Sequence, residues 1–528
     1  MSETKIIGFL ISKDNCNPNI DIFKIGMKIV EIKYNDYYIY LWGLGDIENY
    51  KINNKYTLSF PLHENLLDRN VVISFQNNEI FIENDWLGSI PVFYNFKNKI
   101  VSTLSNLCVN DKIIHTEGLS NFGEFGYSVF EQTFFEDVKF MRYYSKLIIS
   151  SNNIEIKYKQ DPILNENCFS NQTNRKEVVS LMKDYILNIE NQTSGDIILP
   201  TSGGNDSRIL NYLLKNKSRI KSFTYGISQD QSKSTEVIHA KKISEIYNTS
   251  WSRIELKDFH NYINQWVEIY GISTHAHGMY HIELYTKILE MNKFDKPTFL
   301  SGIIGDGWAE LGKFKDINSE KDMIHLGYTH GANLDLNDLN LKSEGLIKKQ
   351  VYETNKEYFK NEKTKAVFVM RTKIILLSYL TQIPEYFGMP TWTPFLNFDI
   401  VKATLSLPDE ERKNRLWQKT LFKEVGLDLE NMNLKSNRNN SLIASIMEDV
   451  EFEDLNIEIL GKYFNIERLK EINYLLKEKP NHKSIKNRLL GVPKVGGVLR
   501  LIGLNNPNIK AIHEYYIYKS IEKGLSIE

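Results

Sequence analysis

The sequence predicts an α/β protein in which a β-rich, layered N-terminal domain precedes a domain built on a parallel sheet. Between residues 1 and 160, short runs of β-branched and aromatic residues are separated by polar and glycine-containing clusters, which is typical of strands joined by turns. Beyond residue 170, strand-like and helix-like segments alternate, which indicates a doubly wound parallel sheet with helices on both faces. Downstream of residue 310 the apolar periodicity is mostly helical, so we expect a helical C-terminal layer over that sheet.

We place the first domain at residues 1–165. One helix is expected around residues 119–125, because Thr116 can cap its start and acidic residues flank its apolar positions. The runs richest in β-branched and aromatic residues predict strands at 6–11, 37–43, 71–75 and 79–83.

We place the second domain at residues 170–528, after a polar stretch at 165–175 that has the composition of a linker. Apolar residues at helical spacing predict a helix over 178–187. The next segments predict, in order, a strand at 196–200, a helix at 210–214, a strand at 220–225 and a helix at 236–246.

Composition and charge argue against several classes of protein. The 528 residues include 65 Lys and Arg against 66 Asp and Glu, and this balance argues against a nucleic-acid partner. Three cysteines, Cys16, Cys108 and Cys168, form neither a disulfide framework nor a metal-site spacing, so we expect reduced thiols. The first apolar run is too short for a secretory signal, and no stretch reaches about 18 uncharged apolar residues. We therefore expect a cytoplasmic protein with no membrane partner.

The segment 197–208, Ile-Ile-Leu-Pro-Thr-Ser-Gly-Gly-Asn-Asp-Ser-Arg, has the strongest signature of chemistry. A buried strand runs through a small polar turn directly into a helix, whose free N–H groups and positive dipole end favour an anion such as phosphate. Asp206 fits beside phosphate if a divalent cation such as Mg²⁺ bridges the two. The alternative is an ordinary strand–turn–helix with Asp206 as a capping residue. The other polar or glycine positions of this turn are Ser202, Gly203, Gly204 and Ser207.

Four motifs together resemble the synthetase domain of the asparagine synthetase family. Residues 202–207 match the Ser-Gly-Gly-x-Asp-Ser loop of ATP pyrophosphatases, which cleave ATP between the α and β phosphates. Residues 222–227 resemble that family's second strand, and residues 300–307 resemble its second acidic loop, Ser-Gly-Glu-Gly-x-Asp-Glu. The fourth match is in three parts, at residues 393–397, 405–408 and 419–425. These parts resemble the family's last block, Val-Pro-Phe-Leu-Asp … Leu-Pro … Lys-x-x-Leu-Arg-Glu-Ala.

The N-terminal half resembles the same family's glutamine amidotransferase domain. Residues 83–94 are similar to its Arg-Asp-x-x-Gly-x-x-Pro-Leu-Tyr-Tyr signature. The resemblance implies an N-terminal αββα sandwich of the Ntn type followed by an ATP-pyrophosphatase domain. It spans nearly the whole chain and is weakest over the last hundred residues.

Two departures from the family concern its nitrogen supply and its acceptor. Glutamine hydrolysis there needs an N-terminal cysteine, whereas Ser2 follows Met1 here, and a hydroxyl is a weaker nucleophile than a thiol. We therefore expect an inactive amidotransferase half, as in the β-lactam synthetase, carbapenam synthetase and lasso-peptide cyclase branches; an active Ser2 is the alternative. Ile303 replaces the glutamate of the second acidic loop, which argues against free aspartate as substrate. Further departures are Gly307, Trp392 and Asn397.

The resemblance implies a role for each matched residue. Asp206 and Asp306 would bind Mg²⁺, with helix-capping or surface aspartates as the alternative, and Lys419 would be the catalytic cation, with a solvated helix lysine as the alternative. Ser202, Gly203, Gly204 and Ser207 would bind pyrophosphate, and Thr201, Tyr225, Ser301 and Gly302 would contact the nucleoside.

A histidine cluster at 274–281 and a glycine-rich segment at 491–497 are weaker signals. His277 and His281 are candidates for contact with the substrate beside Ile303, and ordinary hydrogen-bonded histidines are the alternative. A His-x-His pair can bind zinc, but the spacing guarantees no third ligand and no cysteine lies nearby. The segment 491–497 is either a lid carrying Lys494 or a plain turn.

The expected function is therefore an ATP- and Mg²⁺-dependent synthetase that adenylates a carboxylate and couples it to an amine, without glutaminase activity. The products considered are a β-lactam or a peptide macrocycle, with a small-molecule or peptide substrate and a precursor peptide as one possible partner. The alternatives are an asparagine synthetase-type amidotransferase using glutamine or ammonia, and a non-catalytic nucleotide-binding scaffold. The sequence leaves homo-oligomer formation open.

Overall fold

The computed structural model describes residues 4–15, 18–20, 22–23, 25–51, 54–151, 153–165, 167–327, 333–443, 450–477 and 507–526. Ser2, Cys16 and Lys494, with the segment 491–497, lie outside the described residues. The predictions made for them stay predictions. The other two cysteines, Cys108 and Cys168, are buried free thiols as expected.

The fold is mixed α/β, with two antiparallel sheets and one parallel sheet. The strands are β1 Lys5–Ser12, β2 Lys28–Tyr34, β3 Tyr37–Leu44, β4 Lys55–Thr57, β5 Val71–Gln76, β6 Glu79–Asn84, β7 Phe93–Asn95, β8 Ile100–Ser102, β9 Val138–Phe140, β10 Ser145–Ile149, β11 Ile154–Tyr158, β12 Ile197–Pro200, β13 Ile220–Thr224, β14 Ser250–Arg253, β15 Thr298–Leu300 and β16 Thr391–Trp392.

The α-helices are α1 Thr116–Phe125, α2 Arg175–Gln192, α3 Asn205–Leu213, α4 Thr235–Tyr247, α5 Ile263–Tyr270, α6 Tyr280–Met291, α7 Gly305–Ala309, α8 Leu346–Phe359, α9 Glu362–Leu377, α10 Tyr379–Tyr386, α11 Phe398–Leu405, α12 Asp409–Arg412, α13 Leu416–Glu424, α14 Ile457–Leu460, α15 Ile466–Lys477 and α16 Pro507–Ser526.

Each predicted strand and helix is present, with shifts of up to five residues at the ends of the helices. One detail was wrong: α1 is capped by His115, whose ring accepts a hydrogen bond from the Gly118 N–H, and Thr116 is the first helical residue. The helical character beyond residue 310 is confirmed apart from the short strand β16. The proposed boundary between residues 165 and 170 stays a prediction.

The N-terminal half is a sandwich of the two antiparallel sheets. Their strand orders are β2-β3-β1-β8-β7-β9 and β11-β10-β6-β5-β4. Alternate residues of both sheets, such as Phe9, Ile39, Ile73 and Ile82, form one apolar core between them because successive side chains of a strand point to opposite faces.

The opposite face of the first sheet packs against the C-terminal half. Trp42 belongs to the core that both halves share, and its Nε1 lies 3.4 Å from the hydroxyl of Tyr386. Trp86 Nε1 donates a 2.9 Å hydrogen bond to the carbonyl of Leu396. The two halves are therefore joined by buried aromatic side chains whose polar atoms are paired across the contact.

Buried charges also join the halves. Arg69 donates two hydrogen bonds, of 2.8 and 3.1 Å, to the carboxylate of Glu385. Lys5 Nζ lies 3.5 Å from the same carboxylate and donates to the carbonyl of Leu58. Burial, opposed by Glu385, lowers the pKa of Lys5 to about 7.

The pKa of Lys5 gives a stability prediction with a defined sign. The unfolded chain holds the Lys5 proton up to its ordinary pKa of 10.5, whereas the folded protein releases it near 7, so folding stability rises with pH between these values. Relative to Lys5→Met, we expect the wild type to gain about 1–2 kcal/mol in free energy of unfolding between about pH 7.5 and 9. Urea denaturation measures this difference. Lys28→Met, at the exposed start of β2, is the control, and a pH-independent difference between Lys5→Met and wild type would contradict the assignment.

The parallel sheet has the order β14-β13-β12-β15-β16, with β12 at its centre. From β12 the chain proceeds to β13 and β14 on one side, and then crosses to β15 and β16 on the other. The strand order therefore reverses between β12 and β15. In open α/β sheets, ligands bind outside the carboxyl ends of the strands at this reversal.

One helical stretch among the described residues, Glu362–Tyr386, is long and apolar enough to cross a bilayer. Within it, 78% of the most apolar window is buried inside the protein. Such burial is typical of a core helix of a soluble protein. Localisation in the cytoplasm stays a prediction.

Candidate nucleotide site at the reversal of strand order

The turn after β12 is shaped by Gly203. Its φ is +70°, and a side chain there would overlap Cβ of His239, so this position requires glycine. Around it, the Gly204 N–H donates 3.3 Å to the hydroxyl of Ser202, and the Ser207 hydroxyl donates 3.2 Å to the Gly204 carbonyl. The turn thus presents two serine hydroxyls and the free N–H groups at the start of α3.

Arg208 anchors this turn to the C-terminal segment. Its guanidinium donates 2.8 Å to the Gly203 carbonyl, and it donates to both oxygens of Glu430 at 2.8 and 2.9 Å. The guanidinium also lies 4.7 Å from the ring centroid of Phe422. These contacts hold the turn in place, and a pre-organised turn loses less conformational freedom when it binds a charged group.

The loop after β15 lies beside the first turn. The Ser301 N–H donates 2.9 Å to the Trp392 carbonyl, and the Ile303 N–H donates 3.2 Å to the Ser301 hydroxyl. Ile304 has a φ of +52°, which is rare and costly for a β-branched residue. Such strain clusters at functional sites.

The two loops bring Asp206 and Asp306 together. A Cβ at position 305 would lie 2.8 Å from Asp206 Cγ and 3.0 Å from each carboxylate oxygen, so Gly305 allows this carboxylate to approach. Burial, together with the nearby Asp306 carboxylate, raises the pKa of Asp206 to about 7, although a hydrogen bond from the Asp306 N–H opposes the rise. Two carboxylates at one site are commonly neutralised by a cation.

The Asp206 carboxylate has one oxygen available for a cation. Its Oδ1 is buried without a hydrogen-bond partner among the described residues. Oxygen ligands from one or two carboxylates, completed by water and phosphate, are what Mg²⁺ prefers. The residues present therefore fit Mg²⁺ held by Asp206 and Asp306 together with the phosphates of a nucleotide.

Two basic side chains adjoin this pair. Lys313 forms an ion pair with Asp306, whose side chain is 46% exposed. Arg415 lies 3.7 Å from the same carboxylate and donates 3.1 Å to Glu310. A phosphate chain with several negative charges, bound beside Asp206, would thus lie near two cationic side chains at the same edge of the sheet.

A cavity of about 390 Å³ opens at this reversal point. Among its walls is Glu236, whose Oε2 is buried without a hydrogen-bond partner in the described part of the chain. The predicted site residues that line the cavity are Thr201, Ser202, Gly204, Asp206, Ser207, Tyr225, His281, Ser301, Gly302 and Ile303.

Four predicted site residues do not line this cavity: Gly203, Asp306, His277 and Lys419. Gly203 shapes the turn and Asp306 adjoins Asp206, so both remain part of the site. Lys419 is on the exposed side of α13, although its neighbour Gln418 accepts a 3.2 Å hydrogen bond from Asn205 at the start of α3.

The histidine cluster divides between two places. His281 is a wall of the cavity, where burial lowers its pKa to about 3 and keeps it neutral. His277 instead stacks on His513 of α16, with ring centroids 4.7 Å apart. No group of three or more His, Cys, Asp or Glu among the described residues is arranged to hold a metal ion, so a zinc site is not supported there.

Three site residues were not found from the sequence: Glu236, Lys313 and Arg415. Arg415 caps the start of α13 and lies four residues before Lys419, the lysine that the resembled motif marks. No motif marked Glu236 or Lys313.

No protein-family model matches this chain, and no curated protein matches it.

Proposed function

We propose that this protein is an ATP- and Mg²⁺-dependent synthetase that adenylates a carboxylic acid and couples it to an amine. The observation that carries the proposal is the approach of the Asp206 carboxylate to Gly305 and Asp306 where the strand order reverses, with its Oδ1 buried and without a hydrogen-bond partner among the described residues. This approach joins the two loops that resemble the ATP-binding loops of asparagine synthetases. The proposal includes the finer fold, an Ntn-type sandwich followed by an ATP-pyrophosphatase domain.

The walls of the cavity suggest how ATP would lie. The hydroxyls of Ser202 and Ser207 and the start of α3 would bind the β and γ phosphates. The nucleoside would lie against Thr201 and Tyr225 at the ends of β12 and β13. There the unpaired Glu236 oxygen would accept a hydrogen bond from a ribose hydroxyl or the adenine amino group.

The reaction has two steps. A carboxylate oxygen of the substrate attacks the α-phosphorus of ATP, and the bond to the bridging oxygen breaks, so that pyrophosphate leaves with the electron pair. An amine nitrogen then attacks the acyl carbon, AMP departs, and the nitrogen loses a proton to give the amide. Arg415 and Lys313 would stabilise the negative charge that develops on the phosphates.

Asp206 and Asp306 would hold Mg²⁺, which when bound neutralises phosphate charge and orients the leaving group. We further propose that the amine comes from the substrate itself or from a second molecule. Lactam formation and macrocyclisation of a precursor peptide both satisfy this proposal.

The exposed position of Lys419 favours one second candidate, a nucleotide-binding scaffold without turnover. Pyrophosphate release separates the two candidates. The assay contains ATP, Mg²⁺, hydroxylamine as the amine, and a panel of acids comprising 4-methylpentanoate, 3-phenylpropanoate, succinate and aspartate. A synthetase releases pyrophosphate in step with hydroxamate formation, whereas a scaffold binds ATP and releases none.

The same assay identifies the cation at the α-phosphate. Arg415 faces Asp306, whereas Lys419 faces solvent, so we expect Arg415→Ala to lower the rate about a hundredfold, equivalent to ~2.7 kcal/mol. Lys419→Ala is expected to lower it less than tenfold. Lys423→Ala, also exposed on α13, is the control. The opposite order of effects would restore Lys419 as the catalytic cation.

A further inference from the structure

One side of the cavity is apolar, and we call it the apolar wall. It is contributed by α6, β15, the loop after β15 and α10. Its members are Leu284, Tyr285, Phe299, Ile303, Ile304 and Leu380. If the loops bind the triphosphate of ATP as proposed, this wall lies where the carboxylic acid that reacts with ATP would be held.

No member of the apolar wall carries a charge. Among the described residues that line the cavity, formal charges belong only to Asp206, Glu236 and Arg415. The histidine beside the wall, His281, is 8% exposed and stays neutral because burial depresses its pKa. A carboxylate or ammonium group placed against the wall would lose its water and gain no partner of opposite charge.

Two polar groups next to the wall already have partners. The Tyr285 hydroxyl lies 3.4 Å from Nδ1 of His281. The Ile303 N–H is also engaged, with the Ser301 hydroxyl. The wall thus offers shape and apolar contact, and little polar recognition.

We infer that the acid activated in this cavity presents an uncharged, apolar group to Ile303 and the rest of the apolar wall. The inference rests on the proposed function and names its substrate class. Acids of this class carry a branched aliphatic or aromatic group a few bonds from the reacting carboxyl. A second charged group directed at the wall, such as the side chain of aspartate, is excluded, because nothing on the wall compensates that charge. The amine of a substrate that closes a ring would therefore lie away from the wall.

Acyl-adenylate mimics with one nucleoside and different acyl groups test the inference directly. The probes are 5′-O-(N-acylsulfamoyl)adenosines carrying 4-methylpentanoyl or succinyl, two chains of equal length that end in an isopropyl group or a carboxylate. Calorimetry is expected to show the 4-methylpentanoyl compound binding at least about tenfold more tightly than the succinyl compound. It should also bind more tightly than unacylated 5′-O-sulfamoyladenosine.

Substitutions at Ile303 test whether this residue causes the preference for the isopropyl-ended probe over the carboxylate-ended one. Ile303→Glu restores the acidic residue of the resembled motif and is expected to reduce the preference for the isopropyl group at least about tenfold. Ile303→Leu, the matched control, is expected to keep it. If Ile303→Glu does not fold, the comparison of the two probes on the wild-type protein still decides the inference.

The remaining outcomes separate this inference from the proposed function. Equal affinity for the two probes, or tighter binding of the succinyl compound, would overturn the inference while leaving the ATP site intact. If neither ATP nor 5′-O-sulfamoyladenosine binds, the nucleotide site is absent, and both the proposed function and the inference fall.

Discussion

Replacing Asp206 by asparagine is expected to lower the rate of ATP-dependent pyrophosphate release at least about a hundredfold, equivalent to ~2.7 kcal/mol of transition-state stabilisation. Asparagine has nearly the same shape, so the packing of this side chain against Gly305 is preserved. What changes is the charge on the buried, unpaired Oδ1. The rate is measured under the conditions in which the wild type turns over.

Two controls separate lost chemistry from lost structure. The pKa of Asp206 is already raised by burial and by Asp306, so removing its charge is not expected to unfold the protein. The thermal midpoint of Asp206→Asn without ligand should therefore match or exceed that of the wild type. Asp111→Asn, at an exposed ion pair with Lys97, should leave the rate unchanged. Full activity of Asp206→Asn would exclude this carboxylate from the reaction.

Replacing Arg371 by methionine is expected to give the largest loss of stability, about 3–5 kcal/mol in free energy of unfolding. The buried Arg371 on α9 pairs with Asp161, with 3.1 Å between Nη2 and Oδ1, and donates to the Trp86 carbonyl at 2.6 and 3.0 Å. It also lies 3.7 Å from the ring centroid of Tyr143. The substitution leaves Asp161 charged and buried between the two halves of the chain.

Urea denaturation measures the loss, and two further variants define its cause. Lys356→Met removes an exposed cation from α8 and is expected to change stability by less than about 0.5 kcal/mol. Adding Asp161→Leu to Arg371→Met should recover part of the loss, because no unpaired charge then remains. A loss below about 1 kcal/mol in the single variant would show that this pair does not hold the halves together.

Local patterns in the sequence were enough to predict most of the secondary structure. The runs that became β1, β5 and β6 are rich in β-branched residues and bounded by turn residues, and the alternation after residue 170 was enough to predict a parallel sheet. The burial of Glu385 beside Arg69 and Lys5 could not be predicted this way. These three charges meet only when α10 packs against the N-terminal half, and nothing local to any of them signals that contact.

The candidate site, too, was predicted from the sequence only in part. The glycines and aspartates of the two loops were predictable because backbone approach and cation binding need those residue types at those positions. Backbone conformation explains one of the misses, Arg415. Asn414 and Arg415 have φ values of +52° and +57°, so α13 begins abruptly with Arg415 beside Asp306, and no glycine marks that bend. Ile304 adopts the left-handed conformation where the resembled motif carries glycine.

Calorimetric titration of the wild-type protein with α,β-methylene-ATP, in Mg²⁺ and again in EDTA, tests the central claim most directly. We expect one nucleotide per chain, bound at least about tenfold more tightly in Mg²⁺, with that gain absent in Asp206→Asn. Nucleotide binding that is indifferent both to Mg²⁺ and to Asp206, or no binding at all, would contradict it.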